Sequence, residues 1–226
     1  MKKNRSPRTP RYSGNLARGA GRQPAQKPPS RERIILSAMH EFAVNGYAGA
    51  RVDRIASGAS INKAMIYYHF RSKEDLYRET IGEVYREATE RLYTILSGNE
   101  SLEQLLLAVA TFHHDLMRKY PEFRSVLMRE LAHPREEIIS YIFDIFESSG
   151  LPSRLLTRFD EEMKAGRIRK TDPRQLMISF LTLNLGYVML APLFDRIMGI
   201  FDRELFVEDR KQEVVNLFLN GIRSKP

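Results

Sequence analysis

Residues 51–70 read RVDRIASGASINKAMIYYHF, and this stretch decides the fold. Val52, Ile55, Ala56 and Ala59 fall at i, i+3, i+4 and i+7, the spacing that gives a short helix one buried stripe. A turn over Ala59-Ser60-Ile61 follows, and Asn62 is placed to cap a second short helix ending near His69-Phe70. Ile66 and Phe70, one turn apart, are expected to face inward, which leaves Lys63, Ala64, Met65, Tyr67 and Tyr68 outward or at the edges. Two short helices joined by a tight turn have the parts of a helix-turn-helix, whose second helix lies in the major groove. Tyr67, Tyr68 and His69 offer ring faces for thymine methyls and donors for phosphate oxygens. Spacing alone leaves a plain packing role open beside the DNA-reading one, because any capped pair of short helices shares it.

Upstream, Ser30 is a candidate N-cap for a helix carrying Ile35, Ala38, Met39 and Phe42, which stops near Asn45-Gly46. Downstream, Ser72-Lys73-Glu74-Asp75 reads as a cap with an acid at the third helical position. The long helix it opens carries Tyr77, Ile81, Val84, Tyr85, Ala88, Leu92 and Ile95 on one side and ends at Ser97-Gly98-Asn99. Backbone amides at its N-terminus, aided by Lys73, are a candidate phosphate site. Beyond residue 101 no strand signal appears. Ser101 with Gln104 opens a helix to about Lys119, and Pro121 fits the first turn of another ending near Ala132. His133-Pro134 starts a segment interrupted at Gly150-Leu151-Pro152, and Asp172-Pro173 starts an apolar helix to about Phe194. A last amphipathic helix begins at Val207 or Glu208 and closes at Gly221. The fold class is therefore all-α, about nine helices, with no internal repeat.

The 226-residue chain has no cysteine, which excludes disulfides, thiolate metal sites and cysteine nucleophiles and fits a reducing cytoplasm. No apolar core of a signal peptide opens the sequence, so a cytoplasmic protein is expected. The net charge is +8, and residues 1–30 hold eight basic residues and no acid, so the remainder is electrically balanced. This Arg-, Pro-, Gly- and Ser-rich segment is expected to be a disordered basic arm, either following DNA phosphates or serving as a mobile leader.

From Arg33 to Leu76 the sequence resembles the tetracycline-repressor (TetR) family of bacterial transcription regulators. Ile35-Leu36, Phe42, Gly46-Tyr47, Val52, Ile55-Ala56, Ile66-Tyr67, His69-Phe70, Ser72-Lys73-Glu74 and Leu76 carry the resemblance through their joint spacing. Arg129-Glu130-Leu131-Ala132 and Gly166-Arg167-Ile168-Arg169 resemble regulatory-domain segments of the same family. The resemblance implies a helix-turn-helix domain over 31–78 and a helical ligand-binding and dimerisation domain over 79–226. It implies that Lys63, Ala64 and Tyr68 face bases, while Arg51, Met65, Tyr67, His69 and Lys73 lie along phosphates or the groove wall, with Asn62 beside them. The chain departs from the family pattern at Ser60 and Ala64, where Gly is common, and at Gly49-Ala50, where a Thr or Ser cap is usual. Ser60 is expected either to hold a strained turn at a cost of about 1 kcal/mol or to sit in a modestly reshaped one.

The resemblance further implies a homodimer through the last two helices, an operator of double-stranded DNA with two half-sites, and a small-molecule effector. It is more often a repressor's pattern than an activator's. The candidate pocket residues are Phe112, His113, Leu116, Tyr120, Phe123, Tyr141, Phe146, Phe180, Asn184 and Tyr187, any of which core packing also explains. Leu102–Met117 has no Arg or Lys, so an apolar or weakly polar ligand is expected.

Two other classes are weighed against this reading. Leu176–Phe194 has no charge for nineteen residues, the length of a membrane span, but Ser179, Thr182, Asn184, Gly186 and Pro192 favour a helix buried between its own core and a dimer partner. No membrane partner is expected. A metal-dependent helical enzyme would use Glu130-x-x-His133 or His113-His114, yet a di-iron site needs a second Glu-x-x-His, and adjacent histidines on a helix point about 100° apart. No catalytic residue, metal or cofactor is expected.

Overall fold

A computed structural model describes residues 29–224. The ten helices are α1 (Ser30–Gly49), α2 (Val52–Gly58), α3 (Lys63–His69), α4 (Lys73–Leu96) and α5 (Leu102–Lys119), then α6 (Phe123–Ala132), α7 (Glu136–Ser149), α8 (Leu151–Lys164), α9 (Pro173–Ile197) and α10 (Arg203–Ile222). Among the described residues the one β feature is an isolated bridge between Ile168 and Arg223. The tenth helix arises because Gly150, at φ 66°, separates α7 from α8. Of the segment 1–30, only Pro29 and Ser30 fall within the described residues, so the arm expectation lies outside them.

Most starts and stops follow local chemistry. Ser72 accepts the amide of Asp75, Ser101 and Gln104 form a complete capping box, and Asp172 accepts the amide of Arg174 ahead of Pro173. Three boundaries correct the sequence reading. Ser30 does not cap α1; Pro29 holds that place without a side-chain bond, and the Ser30 hydroxyl lies 2.7 Å from His69 Nε2. Pro121 stays in the turn before α6, where the Phe123 amide donates to the Tyr120 carbonyl. Finally, α10 starts at Arg203, four residues ahead of Val207, because Asp202 accepts the Leu205 amide at 3.0 Å and supplies a cap there.

Two apolar cores organise the packing. The first joins α1–α4 through Phe42, Ile55, Ile66, Phe70 and Ile81, and continues to Phe112, Phe123, Val126 and Ile138. The second gathers Leu106, Phe159, Phe180, Val215 and Phe218 from α5, α8, α9 and α10. The expected boundary at 78/79 falls inside α4, which runs unbroken from Lys73 to Leu96. Gly82 lets α7 approach this helix, because a Cβ there would overlap the Tyr141 ring.

Candidate nucleic-acid interface and cavity

The reading head is α3, and three devices set its pose. Ile66 and Phe70 are buried against α1 and α2. The Asn62 side chain accepts the Met65 amide at 2.9 Å, fixing the first turn. Ser60 takes φ 54°, the strained turn expected of a residue standing where Gly is common. With the inner face pinned, the outer face is free: Tyr67 is 50% and Tyr68 79% exposed, and Lys63 and Ala64 are exposed beside them. Met65 is half-buried at the edge.

Lys63 donates to Asp53 at 2.9 Å, and that carboxylate holds its ammonium above the ordinary lysine pKa. His69 is half-buried with Nε2 engaged by Ser30, so it supports the end of α3 rather than standing free. Lys73 bends toward the end of α1, 3.3 Å from the Ala48 carbonyl and 4.9 Å from the Tyr47 ring centre, which leaves donors to spare on its ammonium.

The missing Ser or Thr cap of α2 has a substitute that sequence spacing does not reveal. Glu41, buried on α1, accepts the backbone amide of Arg51 at 3.0 Å and lies 3.7 Å from Arg54. A carboxylate from another helix thus satisfies the start of α2 and complements its dipole. Arg51 keeps its own side chain exposed.

Residues 34–80, which run from α1 through this head into α4, match the model of bacterial regulatory proteins of the tetR family. Residues 34–80 are a DNA-binding segment of the TetR type. The HTH-type transcriptional repressor NicS of Pseudomonas putida is 29% identical over 116 residues, 51% of this chain and 55% of that one, so the chain spans about half the length of that relative. The biofilm operon icaADBC HTH-type negative transcriptional regulator IcaR of Staphylococcus aureus is 24% identical, covering 84% of this chain and 98% of its own. The crystal structure of the transcriptional regulator FadR from Bacillus subtilis in complex with stearoyl-CoA superposes with a TM-score of 0.66 at 22% identity, over 85% of this chain and 99% of that one. The fatty acid degradation regulator FadR from Bacillus halodurans gives 0.66 at 20% identity, over 88% and 100%. At those identities the structural likeness concerns the fold.

Behind the head, the chain encloses a cavity of about 270 Å³ between α4, α5, α6, α7, α8 and α9. Five of the expected pocket residues line it: Phe112, His113, Leu116, Phe123 and Phe146. The other five do not. Asn184 sits one layer back, its amide nitrogen 2.6 Å from His113 Nδ1. Tyr120 bonds Glu87 at the outer end of α5, and Tyr141 bonds Glu79 and Arg86 across Gly82. Phe180 packs in the second core, and Tyr187 donates to Asp195 at 2.8 Å beside the α9–α10 turn. Aromatic type was a poor guide, because the opposite wall is aliphatic: Met177, Leu181, Leu185 and Met189 repeat every fourth residue along α9.

Burial is the main reason that His113 is pushed down to about 4, and the ring is neutral near pH 7. Its neighbour His114 points elsewhere, partly buried against the Tyr187 ring, where burial followed by Lys211 and Arg203 lowers it to about 4 as well. Glu130 is committed to Tyr77 and Arg135, and His133 is exposed, so the Glu-x-x-His pair is not brought together as a ligand set.

The cavity wall touches the head through α6. Phe123 and Leu127 line the cavity, and two turns on, Arg129 donates to the carbonyls of Ala43 and Val44 at 3.4 and 3.3 Å, just ahead of the break at Gly46. The adjacent Glu130 accepts from Tyr77 of α4 at 2.7 Å and pairs with Arg135. The Arg135 guanidinium in turn lies 4.3 Å from the Tyr47 ring centre and 4.2 Å from that of Tyr77.

Proposed function

We propose that this protein is a homodimeric transcriptional repressor that binds a roughly palindromic operator in the cytoplasm and leaves it when a small molecule fills the cavity. The observation that carries the reading is the pose of α3: its inner face is anchored by Ile66 and Phe70 while Lys63, Ala64, Tyr67 and Tyr68 stand outward. In this reading Lys63, Ala64 and Tyr68 meet base edges. Arg51, Met65, Tyr67 and Lys73 meet backbone or groove wall, and Asn62 and His69 hold the helix. The repressor names of NicS and IcaR support the sign of control. The stearoyl-CoA held by the Bacillus subtilis protein supports a small-molecule ligand, and the cavity among the middle helices offers it a place.

The surface supports dimerisation. On α9, Ile178, Leu183, Leu190 and Leu193 are exposed on the side away from the core, and Leu217 is exposed on α10. Such an apolar face on a soluble chain is what a two-fold partner covers, and the two copies then present two reading helices to two half-sites. A ligand displacing Phe123 and Leu127 moves α6, and with it Arg129 and Glu130, which grip the ends of α1 and α4. The shift in head spacing requires the ligand to bind the two arrangements with different affinity.

Selection of random oligonucleotides by the purified full chain tests this reading. A palindromic site, bound with steep salt dependence and weakened at least tenfold by Tyr68→Ala, is expected. Enrichment of no palindrome at moderate salt would falsify it.

A further inference from the structure

The cavity has a chemistry narrower than its apolar surface suggests. Its lining is aliphatic and aromatic except for Tyr85 and His113, and no Asp, Glu, Lys or Arg takes part. Its volume of about 270 Å³ has room for roughly nine water-sized groups. A carboxylate or ammonium placed there would be buried with no opposite charge, which disfavours either strongly.

One side of the histidine ring is already assigned. The amide nitrogen of Asn184, which can only donate, lies 2.6 Å from His113 Nδ1, so Nδ1 accepts and the ring hydrogen sits on Nε2. Among the described residues Nε2 has no hydrogen-bond partner, and His113 is one of the residues lining the cavity. Asn184 is itself almost wholly buried, and its Oδ1 is an unpartnered buried acceptor. A buried amide that leaves an orphan oxygen is an expensive way to fill space on an apolar helix, since Leu would pack there without the loss. What the amide does achieve is to fix the tautomer that leaves Nε2 as a donor. Tyr85 adds a second uncharged donor, a hydroxyl kept protonated by burial and by the nearby Glu130, which push it up to about 12.

We propose that the cavity selects an uncharged, mostly apolar molecule of about nine heavy atoms bearing a carbonyl-type acceptor, with His113 Nε2 as the recognising donor and Asn184 as the residue positioning it. This rests on the cavity being the effector site, and it deepens that reading by naming the ligand class. Charged metabolites are disfavoured by the uncharged wall.

Titration calorimetry of the full chain at pH 7.5 with four probes of one carbon frame tests the assignment: octane, 2-octanone, octanoate and octylamine. The ketone is expected to bind roughly five- to tenfold more tightly than octane, the yield of one net hydrogen bond, and at least tenfold more tightly than either charged probe. His113→Leu is expected to erase the preference for ketone over octane while leaving octane binding intact. His113→Gln, which keeps a donor, retains part of that preference. Equal binding of ketone and octane, tighter binding of octanoate or octylamine, binding of none of the four, or a preference that survives His113→Leu would each overturn the proposal. Should the leucine variant not fold, the ketone-to-octane ratio of the unaltered chain decides alone. Because occupancy is read directly, a ketone that binds as stated but leaves DNA affinity untouched removes the effector role and not the ligand chemistry. Loss of the ligand chemistry leaves DNA binding standing.

Discussion

Tyr77 of α4 donates its hydroxyl to Glu130 of α6 at 2.7 Å in a site closed to solvent, and this bond ties the helix that follows the reading head to the helix that walls the cavity. Burial, followed by that bond, raises the Tyr77 hydroxyl well above its ordinary pKa, so it remains a donor throughout the range of protein stability. The second Glu130 oxygen is buried without a partner, which makes the Tyr77 and Arg135 contacts all the more necessary to the carboxylate. Tyr77→Phe keeps the ring and deletes the bond. Urea unfolding is expected to show a loss of about 1–3 kcal/mol. The variant is also expected to bind operator while responding less to any ligand that releases the parent protein; an undiminished response would remove Tyr77 from the coupling path.

Ser60 supplies a test of stored backbone strain. At φ 54° its left-handed turn suits Gly, and the relief on Ser60→Gly is offset in part by the extra freedom Gly has when unfolded. A net change between roughly zero and 1 kcal/mol in favour of the variant is expected, whereas Ser60→Val should lose more than about 1 kcal/mol because a β-branched side chain resists that conformation. A valine variant as stable as the parent in thermal unfolding would show that the turn is not strained.

His113 gives a pH signature. Its folded pKa of about 4 lies below the ordinary 6.5, so the unfolded chain takes up the proton first as pH falls. Its contribution is constant above about pH 6.5, declines between 6.5 and 4, and levels off below. At pH 5 the loss from this one residue is about 2 kcal/mol relative to pH 7. Comparing unfolding free energies at the two pH values for the parent and His113→Gln checks this, the variant being expected to lose less. An equal loss in both would show that His113 is not held neutral by burial.

The outward face of α9 and α10 is testable in solution. Leu183 and Leu217 are exposed in the single chain, and replacing both by Glu places charge where a partner copy would sit. Sedimentation at micromolar concentration is expected to shift from dimer to monomer with helicity retained, and operator affinity should fall by well over tenfold as the two-site contact is lost. Persistence of the dimer would place its interface elsewhere.

The helix-turn-helix was legible because its determinants are local. Val52, Ile55, Ala56 and Ala59 declare a buried stripe, Asn62 is a cap by residue type, and Ser60 marks an unusual turn whichever way the head is packed. The same locality made Ser72, Ser101 and Asp172 reliable helix starts. The Glu41 cap for α2 was hidden because its donor and acceptor lie ten residues apart on different helices. Only five of the ten expected pocket residues line the cavity, for a related reason. Aromatic residues were favoured by type, but whether Phe146 or Phe180 faces empty space depends on which neighbouring helix stops short of it.

By itself, then, the sequence determined an all-helical chain, the place and register of its DNA-reading helix, and the concentration of positive charge in residues 1–30, because periodicity, caps and charge are properties of neighbours along the chain. The tertiary structure alone decided that Lys63 rests on Asp53, that Arg129 and Glu130 join the cavity wall to α1 and α4, and that Asn184 meets His113 behind the cavity wall. Each of these is a meeting of side chains from different helices. A bond between residues 71 positions apart, as between His113 and Asn184, exists only once packing has brought α5 against α9.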